Sequence, residues 1–122
     1  MLLVDAANVV GSRPTGWWRD RAGAARTFVD LLRAAARDGR ISPPVTVVLE
    51  GQAREGVEAG EADGVTVVHA PGSGDDALIH VVEDAAPDHE VTLVTADREL
   101  RRRAETLGAE VVGPRWLLGR VD

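Results

Sequence analysis

The sequence contains no cysteine and no lysine, and none of its apolar runs approaches the roughly 20 residues that span a bilayer. Without cysteine there is no disulfide framework, thiolate nucleophile or thiolate zinc site. Without lysine, phosphoryl-transfer sites of the receiver, haloacid-dehalogenase-like and P-loop kinds lose the residue that holds their phosphoryl group. No GxGxxG turn follows the first apolar segment, which argues against a dinucleotide site. No charged start leads into a signal-type stretch: Leu2-Leu3-Val4 meets Asp5 at once and reads as a buried strand. A cytoplasmic location with no membrane association is the expectation.

What is present fits one ordinary domain spanning 1–122, with 44% hydrophobic residues, enough for a single core. Fourteen basic residues, all arginine, stand against 20 acidic ones, giving a formal charge of −6. That balance argues against binding a polyanion through a basic surface. It is compatible with an acidic site neutralised by a divalent cation.

Apolar runs alternate with helical patterns, the signature of a parallel βαβ sheet. Strands are expected at Leu2–Asp5 (continuing weakly to Val10), Val45–Leu49, Val65–Val68, Val91–Thr95 and Ala109–Val112. A turn-rich loop is expected over 11–16, and a mobile excursion, with room for a short helix, over 52–64. The spacing of Ala25, Phe28, Leu32 and Ala35 predicts one long helix from Trp18 to Asp38, stopped by Gly39. A second helix starts near Ser73–Asp76 and buries Ile79, Val82 and Ala86. A third, from Asp97 to Leu107, buries Leu100, Ala104 and Leu107 and leaves Arg101, Arg102 and Arg103 in solvent; Pro114–Leu118 closes the chain as a helical turn.

The acids fall at telling places. Asp5 ends the first strand with Asn8 three residues on; Glu50 ends the second; Asp75 and Asp76 open the helix after the third; Asp97 follows the fourth, with Glu99 two residues later. Right-handed crossovers bring all these strand ends to one edge, where open α/β sheets bind ligands. Two carboxylates about 5 Å apart repel by roughly 3 kcal/mol at an effective dielectric of about 20. Arginines, protons or a divalent cation must relieve such a cluster, and all-oxygen donors suit Mg²⁺ or Mn²⁺. Asp75, Asp76 and Asp97 also read as ordinary first-turn helix acids, and Ser73 to Asp76 has capping-box spacing. Glu50 also reads as a strand-end surface acid, so its membership is left open. Asp5, embedded in an apolar segment, is costly without a partner.

Leu3 to Val10 (LVDAANVV), Ser73 to Ile79 (SGDDALI) and Val94 to Leu100 (VTADREL) together resemble the three signature blocks of NYN domains, a branch of the PIN-like nucleases, and most nearly the bacterial YacP-like group. The resemblance covers nearly the whole chain. It implies a three-layer Rossmannoid α/β fold with a parallel five-stranded sheet of order 3-2-1-4-5, and a Mg²⁺- or Mn²⁺-dependent ribonuclease acting on RNA. By motif, Asp5, Asn8, Asp76 and Asp97 become the catalytic set, and Asp5, Asp75, Asp76, Asp97 and Glu99 the metal-facing acids. Asn8 would orient a ligand or phosphate, and Thr95 would brace the turn at the helix start. Members often carry Gly and an aromatic between the first Asp and Asn, where this chain has Ala6-Ala7. PIN-like domains often pair, so a homodimer stays open.

Arg13, Arg19, Arg98 and Arg115 sit near the same edge and are candidates to hold phosphates, or else to pair with the excess acids. Of Trp17, Trp18 and Trp116, the adjacent pair cannot both face the core, so one is expected to be partly exposed, with packing favoured over base stacking. The alternative to a ribonuclease is a PIN-like module, catalytically weak or inactive, that binds RNA or a protein.

Overall fold

A computed structural model describes all residues, 1–122. Strand β1 is Leu2–Asp5, β2 Val45–Leu49, β3 Gly60–Ala62, β4 Val65–His69, β5 Thr92–Val94 and β6 Glu110–Val112. Helices are α1 Ala6–Gly11, α2 Arg21–Arg37, α3 Gly74–Ala85, α4 Arg98–Thr106 and α5 Pro114–Val121, with 3-10 turns at Trp17–Arg19 and Gly51–Gly56. The strands form one sheet in the order β3-β4-β2-β1-β5-β6.

The expected five-stranded, all-parallel sheet of order 3-2-1-4-5 is corrected here: the sheet has six strands and is mixed. The extra strand, β3, pairs antiparallel with β4 and lies inside the segment read as a mobile excursion. Its cause is local. Asp63 (φ 55) and Gly64 (φ 80) both take the left-handed conformation that a two-residue hairpin of matching twist demands. Glu61 Oε1 reinforces the turn by accepting the Gly64 N–H at 2.9 Å.

Side chains alternate across the sheet with period two. Leu2, Val4, Val47, Val65 and Val67 pack with Val9, Phe28, Leu32 and Leu117, so α1, α2 and α5 cover one face. Leu3, Val48 and Leu93 pack with Leu78, Ile79, Val82, Leu100 and Ala104, so α3 and α4 cover the other. Glycine at 56 permits the 3-10 turn to lie directly on α2, since a Cβ there would stand 2.0 Å from the Ala22 carbonyl oxygen.

Three further expectations change. The first strand does not trail toward Val10: it stops at Asp5, whose carboxylate accepts the Asn8 N–H and caps α1. The long helix breaks before Arg21, where Asp20 accepts the Gly23 N–H and starts α2 afresh. Leu107, expected in the core, is 38% exposed because α4 ends at Thr106 and the chain turns through Gly108 (φ +92).

No helix is long and apolar enough to cross a membrane.

Candidate functional site

Register decides which side chains meet at the carboxyl edge. Asp5 lies opposite Val48 of β2, and Val4 lies beside Val94 of β5, so Glu50 and Thr95 emerge near Asp5. Asp5 is buried, at 7% exposure, and each of its carboxylate oxygens accepts one hydrogen bond. Oδ2 accepts the Thr95 hydroxyl at 2.9 Å and Oδ1 the Asn8 N–H at 3.3 Å. The relay continues: Thr95 Oγ1 accepts the Asp97 N–H at 3.1 Å, and Asp97 Oδ1 accepts the Leu100 N–H at 2.9 Å to cap α4. Asn8 Oδ1 takes the Ala96 N–H at 2.8 Å, tying α1 to the β5–α4 turn. Opposite, Glu50 Oε2 accepts the Gly74 N–H at 2.9 Å. A Cβ on Gly74 would stand 2.9 to 3.1 Å from that carboxylate, so glycine admits Glu50 to the start of α3.

Asp75 is half-buried at the same edge. Burial raises its pKa, and the charges of Asp97, Glu50 and Asp76 raise it further, against a lowering by Arg103. Asp5 is pushed up to about 6, chiefly by burial, with Asp75 and Glu50 adding to the rise while the Thr95 and Asn8 hydrogen bonds oppose it. Asp5, Glu50, Asp75 and Asp97 thus feel one another as a single cluster drawn from four segments.

Other candidates stand outside it. Asp76 is exposed, and its Oδ1 accepts from Arg103 at 3.2 Å. That bond also makes Arg103, expected in solvent, half-buried. Glu99 pairs with Arg102 one turn along α4. Arg13 pairs with Asp122, and the Arg19 guanidinium lies 5.9 Å from the Trp18 ring centroid. Arg98 and Arg115 are exposed. Trp18 is 55% exposed, while Trp17 is half-buried and meets it edge-on.

A metal ion implied by the resemblance has to be weighed against these contacts. The donors are all oxygen, which suits Mg²⁺ or Mn²⁺ chemically. Their arrangement does not suit a metal: no group of three or more His, Cys, Asp or Glu is placed to hold one. Asp5, Glu50 and Asp97 each direct an oxygen at a protein N–H or O–H. The expected centre on Asp5, Asp75, Asp76, Asp97 and Glu99 is not assembled in this arrangement.

Sequence reasoning missed Arg21. It lies against the Trp17 ring, 5.3 Å from its centroid, and both line a cavity of about 420 Å³ beside Glu50. No periodicity marks it, because it sits in the first turn of α2 at a helix start the sequence reading did not resolve.

No family model matches the sequence, and no curated protein matches it in sequence. Solved structures do match in shape. Rae1 (YacP) from Bacillus subtilis aligns with a TM-score of 0.71 at 21% identity, over 99% of this chain and 72% of that one. A tryptophan-to-leucine mutant of the same protein aligns with a TM-score of 0.71 at 19% identity, over 98% of this chain and 73% of that one. The chain has the fold of Rae1 (YacP), and the resemblance read from its three motifs holds at the level of structure.

Proposed function

We propose that this chain is a PIN-like module that binds single-stranded RNA at the carboxyl edge of its sheet and cuts it weakly or not at all. One observation carries the reading: acids from four segments converge, yet Asp5, Glu50 and Asp97 each give at least one oxygen to a protein hydrogen bond and no three are placed for a metal. The fold shared with Rae1 (YacP) and the NYN-like motifs support RNA as the partner. Arg21, which shares a cavity with Glu50, and Arg98, next to Asp97 in the chain, form no carboxylate pair, nor does Arg19, and Trp18 offers an exposed ring. Arginines and aromatics of this kind hold unpaired strands through phosphate contact and stacking.

Fluorescence anisotropy with a labelled, mixed-sequence single-stranded RNA tests this. Saturable binding that needs no divalent ion and weakens as salt rises is expected. Absence of binding, or binding only after Mn²⁺ is added, overturns it.

A second reading, a Mg²⁺- or Mn²⁺-dependent ribonuclease, draws on a different observation. Burial and neighbouring acids raise the pKa values of Asp5 and Asp75, and a divalent cation would relieve that strain. In that reading Asp5, Asp75 and Asp97, with Glu50, are the residues that would turn to hold it. Asn8 and Thr95 would keep the Asp5 side in place, with Arg13, Arg19 and Arg98 toward the phosphates. Mn²⁺-dependent cleavage that is lost in Asp5→Asn and Asp97→Asn would favour it.

A further inference from the structure

The cavity beside the carboxylates has a lining with recognisable ligand chemistry. Ala6, Ala7 and Leu49 supply apolar wall, Trp17 and Arg21 one side, and Glu50 a fixed acceptor. At about 420 Å³ it falls within the range of small-molecule sites, roughly 300 to 1,000 Å³.

Two features select the occupant. Arg21 is exposed, pairs with no carboxylate, and rests its guanidinium on the Trp17 ring. A guanidinium backed by an indole is a flat cationic platform, of the kind on which unpaired bases stack. Glu50 has one oxygen committed, since Oε2 accepts the Gly74 N–H, while Oε1 accepts no protein hydrogen bond. A held carboxylate with a free oxygen asks for an N–H donor edge and repels acceptors. Guanine presents neighbouring N1–H and N2–H₂ donors. Adenine and cytosine set a ring-nitrogen acceptor beside their amino group, and uracil flanks its single N–H with two carbonyls.

We infer that this cavity is a subsite for an unpaired guanine, stacked on the Arg21–Trp17 platform with its donor edge on Glu50 Oε1. The inference rests on the RNA-binding reading above and sharpens it from RNA in general to a base preference. It uses Glu50 as an acceptor rather than as a ligand for an ion.

Neutral nucleosides are the probe, because they omit the phosphate that the acidic edge repels and so separate this subsite from binding of a longer strand. With ¹⁵N-labelled full chain, guanosine is expected to shift the Trp17 indole and Gly74 amide signals saturably. Adenosine, cytidine and uridine are expected to bind about tenfold or more weaker, as a site built around a donor edge rejects ligands lacking it. Glu50→Gln, which presents an NH₂ donor, should abolish the guanosine preference. Arg21→Ala leaves the carboxylate and should weaken all four nucleosides by about tenfold through lost stacking. It also serves as the second variant should Glu50→Gln fail to fold. Equal binding of the four nucleosides, no guanosine binding, or guanosine shifts that bypass Trp17 and Gly74 would each overturn the inference, whatever longer RNA does.

Discussion

A carboxylate at the end of an apolar strand ionises only against the cost of leaving water, and at Asp5 burial lifts the pKa to about 6. The unfolded chain holds that proton with a pKa of about 3.9, so between these values the folded state binds more protons than the unfolded one. The Asp5 contribution to stability is therefore fully present below about pH 4 and is lost as pH rises to about 6, a swing on the order of 3 kcal/mol. Asp5→Asn should be more stable than wild type at pH 7 by about 1 to 2 kcal/mol, allowing for loss of an acceptor for the Asn8 N–H. Urea denaturation at several pH values checks this, with the difference expected to shrink below about pH 6 and to change sign by about pH 4, where protonated Asp5 no longer costs the folded state and the lost acceptor alone counts against the variant. Asp97 separates capping from charge. Asp97→Asn keeps an oxygen for the Leu100 N–H and should leave stability nearly unchanged, whereas Asp97→Ala should cost about 1 kcal/mol in the same assay.

At the scale of elements, glycine positions give opposite expectations. A Cβ at Gly56 would meet the Ala22 carbonyl oxygen at 2.0 Å, so Gly56→Ala should cost about 1 to 3 kcal/mol by driving the 3-10 turn off α2. Within α5, Gly119 has nothing within 4 Å of a Cβ, so Gly119→Ala should stabilise by up to about 1 kcal/mol; thermal melting distinguishes the two signs. The strand cores and the helix faces of α2 and α3 were legible because burial imposes its period on the residues: Val45–Leu49 reads as one continuous, largely β-branched run and is buried throughout, and Phe28 and Leu32 repeat at helical spacing. What escaped had no such imprint. Strand β3 is short, half-exposed to exposed and carries Gly60, Glu61 and Ala62, and only the Asp63-Gly64 turn signals it. Helix α1 escaped because Val9 and Val10 have strand propensity, while the cap supplied by Asp5 decides the outcome. At the site, placing acids at strand ends was a matter of topology and could be read. That Asp75 is half-buried beside the other acids while Asp76 is exposed and taken by Arg103 from α4 was not, because it depends on a contact between helices far apart in sequence.

Across the whole molecule, a net charge of −6 and a carboxylate cluster at the carboxyl edge oppose a polyanion, so the proposed affinity for RNA would have to come from a few arginines and from stacking. A shallow salt dependence, reflecting few phosphate contacts, follows for the anisotropy experiment. The same cluster decides between holding a strand and cutting it. Single-turnover cleavage of the mixed-sequence RNA in Mn²⁺, with protein in excess, puts that to the test when wild type is run beside the Asp5→Asn/Asp97→Asn double variant. Both proteins are expected to bind the RNA, with wild type cutting little or no faster than the double variant. Efficient Mn²⁺-dependent cleavage by wild type, consuming the bound RNA while a folded and RNA-binding double variant leaves it intact, would contradict the proposed binding role.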